Sequence, residues 1–171
     1  MTRTFRRRKY ARPGEFLHDI RVVLSRRALL GRALRQVISP SFRERLMLVV
    51  TEVHDCRYCS YFHSRQALAG GVSEAELHEL LAGTIPQNVP ADELPALLYA
   101  RHWAEDNARP DARAEKQLMD VYGVDKAEAI EVILRLIRMG NLTGNTADYV
   151  LSRLMFGLLG IRKDEPSYGR S

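Results

Sequence analysis

The sequence predicts an all-α fold, and three observations carry that reading. Apolar residues recur at three-and-four spacing in nearly every patterned segment, cap-forming residues precede several of those runs, and no apolar-polar alternation or hairpin turn marks a strand. Val49, Val50 and Val53 are β-branched but lack such flanks.

Phe16, Ile20, Val23, Leu24, Leu30, Leu34, Val37 and Ile38 form the first helical run, which Ser39-Pro40 ends. Ser41-Phe42-Arg43-Glu44 has the form of a capping box, predicting a helix over 42–53. Asp55 then reads as the N-cap of a helix over 56–69, stopped by Gly70-Gly71. Ser73-Glu74-Ala75-Glu76 is a second capping box, opening a short helix through Leu81. Thr84 to Pro90 is a loop. Helices are expected at 92–107, 111–121 and 126–139, punctuated by Asn107 to Pro110, Gly123 and Gly140, with a last amphipathic segment from Thr146 to Leu159.

At 171 residues the chain has the size of one domain. We expect a basic arm over 1–13, a single domain over 14–161 and a polar tail over 162–171. Charge is polarised: residues 1–45 hold 13 of the 26 Lys and Arg but only Glu15, Asp19 and Glu44 among the acids. Such polarity suits nucleic-acid or acidic-partner binding, but no aromatic pattern in the run suggests a base-stacking surface, so nucleic acid is not an expected partner. The expected role of the basic run is a solvated arm or a face packed on another subunit. No apolar stretch suits a signal peptide or a bilayer span, so the expected location is cytoplasmic, without a membrane partner.

Two cysteines, Cys56 and Cys59, exclude a disulfide-stapled scaffold. A bond between residues so close would contribute only about 2 kcal/mol at best, so stability is not its purpose if it forms. On a helix, Cys56, Cys59 and His63 lie along one stripe, and the two sulfurs can meet. Thiols at a helix's first turn sit near unpaired N–H groups that favour the thiolate. If helices 42–53 and 56–69 fold back on each other, residue 44 lies opposite about residue 65, which places Glu44 within about 3 Å, along the axis, of the level of His63.

A Glu-His-Cys proton relay is then within reach. Lowering a thiol pKa from about 8.5 to 7 raises the thiolate fraction roughly 16-fold, of which weaker nucleophilicity removes about 5-fold. Acid-base assistance is worth about 10²- to 10⁴-fold, so proton delivery is the larger effect. Alternatives stand beside this one. The cysteines suit inert packing, His54, Cys56, Cys59 and His63 together offer a zinc set, and Glu44 suits the capping box. His54 alone reads as a solvated turn residue, Tyr58 and Tyr61 as packing residues, and Asn141, Asn145 and Asp148 as caps and turn formers.

Glu44, then Cys56-Arg57-Tyr58-Cys59, then His63 resembles the alkylhydroperoxidase D and carboxymuconolactone decarboxylase family. Gly70-Gly71-Val72-Ser73 with Glu76, and Gly140-Asn141-Leu142-Thr143-Gly144-Asn145, are softer matches. The resemblance implies an alkylhydroperoxidase D-like helical fold assembled as a homo-oligomer, trimer or hexamer, with the cysteine pair at the start of a helix. It implies a thiol-dependent peroxidase with a redox disulfide between Cys56 and Cys59. Cys59 would attack hydrogen peroxide or an organic hydroperoxide and become the sulfenic acid, Cys56 would resolve, and Glu44 and His63 would relay protons. No cofactor or metal is implied, and an external thiol, a lipoyl carrier or a thioredoxin-like protein, would restore the pair. Two alternatives are a non-catalytic redox sensor of the same fold and a zinc-stabilised structural protein. The peroxidase form commonly has histidine where Tyr58 stands, and a tyrosine is a poor base near neutral pH. The decarboxylase branch does not depend on a cysteine pair.

Overall fold

The computed structural model describes residues 5–155, and among them the chain is all helical apart from its connections. The helices are α1 (Pro13–Ser25), α2 (Arg27–Arg32), α3 (Pro40–His54), α4 (Arg57–Ala69), α5 (Glu74–Leu81), α6 (Leu94–Glu105) and α7 (Ala112–Leu154). A π-helical turn over Ala33–Val37 follows α2.

Helix α3 is the centre. Leu46, Leu48, Val49 and Val50 are buried almost all round, as a helix covered on every side requires. It packs against α4, α5, α6 and α7. Leu97, Ala100 and Trp103 of α6 and Ile130, Ile133 and Leu134 of α7 complete the core.

Several boundaries differ from those the sequence predicts. The run over 16–38 is broken at Arg26, between α1 and α2. Helix α3 begins at Pro40, where proline's fixed φ and missing N–H suit the first helical position, and the cap is Ser39, whose Oγ accepts from the Phe42 amide at 3.3 Å. Glu44 therefore lies beyond the capping position. Asp55 does not cap α4; it ends α3 in the left-handed conformation at φ 54°, which Asp tolerates, and Cys56 is the N-cap residue of α4. Ser73 caps α5 as expected, accepting from the Glu76 amide at 3.2 Å, but the Glu76 carboxylate is drawn to Arg45 instead of closing the box.

Asp111 caps α7, accepting from the amides of Arg113 and Ala114, both at 2.9 Å. Gly123, at φ 73°, bends α7 where a break was expected, whereas Gly140 does not interrupt it. The helix continues through Gly144 to Leu154; residues 1–4 of the expected arm, the end of the 146–159 segment and the 162–171 tail lie outside the described residues. The basic segment before α1 is not a solvated arm throughout. Arg7 is buried against α7, and Arg8 donates to the carbonyls of Ala104 and Glu105 at 2.7 and 2.9 Å, at the C-terminal end of α6 where cations are favoured.

Candidate active site

The hairpin of α3 and α4 turns at Asp55 and Cys56 and sets two functional groups on facing helices. His63 Nδ1 and Glu44 Oε2 are 2.7 Å apart, and Arg43 Nε donates to Glu44 Oε1 at 3.0 Å. Glu44 is buried. Burial works against its ionisation, but the hydrogen bonds from His63 and Arg43, with their charges, outweigh that and hold its carboxyl below the usual range. The sequence expectation that Glu44 and His63 stand level with each other is met by a direct bond.

One helical turn before His63 stands Cys59, and one before that Cys56. Both thiols are unbridged; Cys56 is fully buried and Cys59 partly exposed. The Cys59 thiol donates to the Cys56 sulfur, the main influence pulling the Cys56 pKa to about 6. Burial opposes the shift, while the amides of Cys59 and Tyr58 at the first turn of α4 and the charge of Arg7 reinforce it. The same hydrogen bond pushes the Cys59 thiol up, aided by burial and the negative charge beside it. This hydrogen bond therefore favours negative charge on the sheltered sulfur and the proton on the reachable one.

Helix α7 closes the other side, and glycine lets it approach. A Cβ on Gly144 would lie 3.1 Å from the Cys56 sulfur and 3.3 Å from Tyr58 Cδ2, too close for either neighbour to stay in place. A Cβ on Gly140 would meet the Cys59 sulfur at an ordinary 3.7 Å. Gly144 is thus a point of close packing, whereas Gly140 leaves room for a methyl group.

Below Gly144 on the same helix is a residue set aside in the sequence reading as a cap. Asp148 is fully buried and accepts from Arg7 at 2.5 Å, Tyr58 Oη at 2.7 Å and Arg57 at 2.8 Å. Burial opposes its ionisation, and these three donors overcome the opposition and lower its pKa. Tyr58, in the position between the cysteines, thus spends its hydroxyl proton on Asp148. The i, i+4, i+7 spacing of Asn141, Asn145 and Asp148 carried this signal; Arg7 had none, being remote in sequence.

His54 is not a solvated turn residue. It is fully buried, and because Asn141 Oδ1 accepts from Thr51 Oγ1 at 3.2 Å, the Asn141 amide nitrogen faces His54 Nδ1 at 3.3 Å. Burial, then the charges of Arg138 and Arg8, lowers its pKa to about 3, so the ring is neutral. Asn145 Nδ2 donates to the His54 carbonyl at 2.7 Å and to the Arg8 carbonyl at 2.8 Å, joining hairpin, arm and α7. Among the described residues no group of three or more His, Cys, Asp or Glu is arranged to hold a metal ion, so the alternative zinc set of His54, Cys56, Cys59 and His63 is not assembled.

An all-helical domain with a dithiol at a helix start, backed by a carboxylate-imidazole pair, defines the class of this site. Residues 24–106 match the model of the carboxymuconolactone decarboxylase family, so this segment is similar to that family. Glu44, Cys56, Cys59 and His63 all fall inside the match, while Arg7 and Asp148 fall outside it. No curated protein and no solved structure matches the chain. No helix among the described residues is long and apolar enough to cross a membrane.

Proposed function

We propose that the protein is a thiol-dependent peroxidase that reduces hydrogen peroxide or an organic hydroperoxide through Cys56 and Cys59. The observation that carries the reading is the 2.7 Å bond between His63 and Glu44, one helical turn from the reachable thiol. A buried carboxylate that orients an imidazole beside a dithiol is what acid-base assisted thiol oxidation requires.

The resting charge distribution sets the order of steps. As Cys59 attacks the peroxide, its proton passes to the Cys56 thiolate along their hydrogen bond. The Cys59 sulfur bonds to the proximal oxygen, the O–O bond breaks, and the departing alkoxide or hydroxide takes the proton of a protonated His63. Cys59 is then a sulfenic acid and Cys56 a thiol. His63, now neutral, takes the Cys56 proton, the Cys56 thiolate attacks the Cys59 sulfur, and hydroxide leaves with that proton as water. Two thiols have become one disulfide, and the peroxide has become an alcohol, or water, and a further water. An external dithiol, a lipoyl carrier or thioredoxin-like protein, returns two electrons by thiol-disulfide exchange. The family match over residues 24–106 supports the assignment, and a homo-oligomer, trimer or hexamer, belongs to the same proposal, as does a cytoplasmic location.

Peroxide consumption with a dithiol reductant tests it. Cys59→Ser abolishes turnover, whereas Cys56→Ser still forms a sulfenic acid that dimedone traps. Equal rates in the parent and both variants would overturn the mechanism.

A redox-sensing role is the second reading, favoured by Arg7. Its charge helps to stabilise the Cys56 thiolate, so closing the disulfide removes a partner for the basic arm. That reading expects little peroxide turnover with excess reductant and a change in the binding of an acidic partner on oxidation.

A further inference from the structure

The segment before α1, the start of α1, the α6–α7 connection and the middle of α7 enclose a cleft of about 810 Å³ that is lined by neither cysteine, nor by Glu44 or His63. That is within the range of roughly 300–1,000 Å³ in which small-molecule sites fall.

Its charges are unevenly matched. Arg135 and Arg138 on its wall share one carboxylate, the buried Asp19, which Arg135 NH1 meets at 3.2 Å and Arg138 NH1 at closer range. Tyr10 Oη also donates to Asp19, at 2.8 Å. Arg138 is itself buried, and its Nε has no hydrogen-bond partner in the protein. A buried guanidinium N–H left without an acceptor is costly, and in a cleft it marks where an acceptor belongs.

The rim adds Lys9, Arg12 and Arg109. Lys9 lies over the Tyr149 ring, and among the described residues neither Arg12 nor Arg109 has an ion-pair partner. The two remaining acids of the cleft are engaged: Glu15 accepts from the Ala11 amide at 3.3 Å, and Asp106 pairs with His102 at 3.3 Å. The cleft thus carries excess positive charge, with planar guanidinium donors suited to oxyanions.

We propose that this cleft binds a small polyanion, a molecule bearing two or more phosphate or carboxylate groups. One anionic group sits against Arg138 and Arg135, and another meets Arg12 and Arg109 at the rim. The site is separate from the thiols, so its failure would leave the peroxidase reading untouched.

Titration calorimetry on the full chain at physiological ionic strength, with pyrophosphate in one arm and citrate in the other, tests it. The exposed pair Arg12→Ser/Arg109→Ser, which leaves the buried arginines in place, lowers affinity about tenfold or more, the loss of at least one charge-assisted hydrogen bond. The exposed pair Arg27→Ser/Arg32→Ser, outside the cleft, removes the same charge and leaves affinity unchanged. Binding of pyrophosphate alone assigns a phosphorylated ligand, and of citrate alone a polycarboxylate. Absence of saturable binding by either at about 10 mM, a range in which binding free energies are below those of specific sites, overturns the proposal. So does equal weakening by the two variant pairs, which would mean diffuse charge attraction.

Discussion

Neighbouring residues of α3 head two ionic clusters with opposite electrostatic outcomes. Arg45 donates to Glu76 at 2.6 Å and to Glu93 at 3.0 Å, pinning α3 to α5 and to the start of α6. Glu44 receives Arg43 and His63, pinning α3 to α4. Burial raises the Glu93 pKa more than Arg45 lowers it, with Asp92 and Glu76 adding to the rise, whereas the Glu44 pKa is lowered. The difference is stoichiometry. In the first cluster two carboxylates divide one guanidinium, and in the second one carboxylate has two donors. The first is scaffold, and the second keeps a charge in hand beside an imidazole.

Arg45→Ala should break the contrast most forcefully. It leaves two buried carboxylates facing each other and should cost about 3–5 kcal/mol in urea unfolding. At temperatures where that variant stays folded, dimedone trapping at Cys59 should persist. Glu44→Gln should act the other way, lowering the peroxide rate about 10²-fold through loss of oriented proton transfer while costing roughly 1–2 kcal/mol of stability. A loss of stability with the rate spared would return Glu44 to a structural role.

The finest distinction is in acid. A lowered carboxyl pKa gives Glu44 a stabilising contribution that is present above the ordinary 4.5 and lost as pH falls through its folded value. The raised pKa of Glu93 gives a contribution present below 4.5 and lost as pH rises through its folded value. Relative to the parent, Glu44→Gln should therefore flatten the decline of stability in acid and Glu93→Gln should steepen it. The change in slope should stay under about 1.4 kcal/mol per pH unit, the limit for one proton. Melting temperatures across pH 3 to 6, a span of roughly the ordinary carboxylate range, measure both.

Much of this site is written locally in the sequence. The helical stripe of Cys56, Cys59 and His63 follows from backbone period alone, and the pairing of Glu44 with His63 follows from rise per residue once the chain turns back at Asp55. Boundaries were harder because caps compete: Ser39 and Ser41 are equally good N-cap types, and Pro40 decides between them. Gly140 reads as a helix stop because its use as a contact point depends on which helix lies opposite. The Arg7 contact with Asp148 spans nearly the whole chain, and no local pattern announces it. Which sulfur bears the charge depends on two amides, a neighbouring thiol and a distant arginine acting together on Cys56.

The backbone of Gly144 pressed against the Cys56 sulfur has a consequence for durability. Stray electrophiles and excess oxidant meet Cys59, whose thiol is held toward its protonated and sluggish form, and the sulfur that favours the thiolate lies behind a helix wall. Such an arrangement should resist irreversible conversion to sulfinic acid between turnovers, because the vulnerable anion is generated only as the proton changes sulfur.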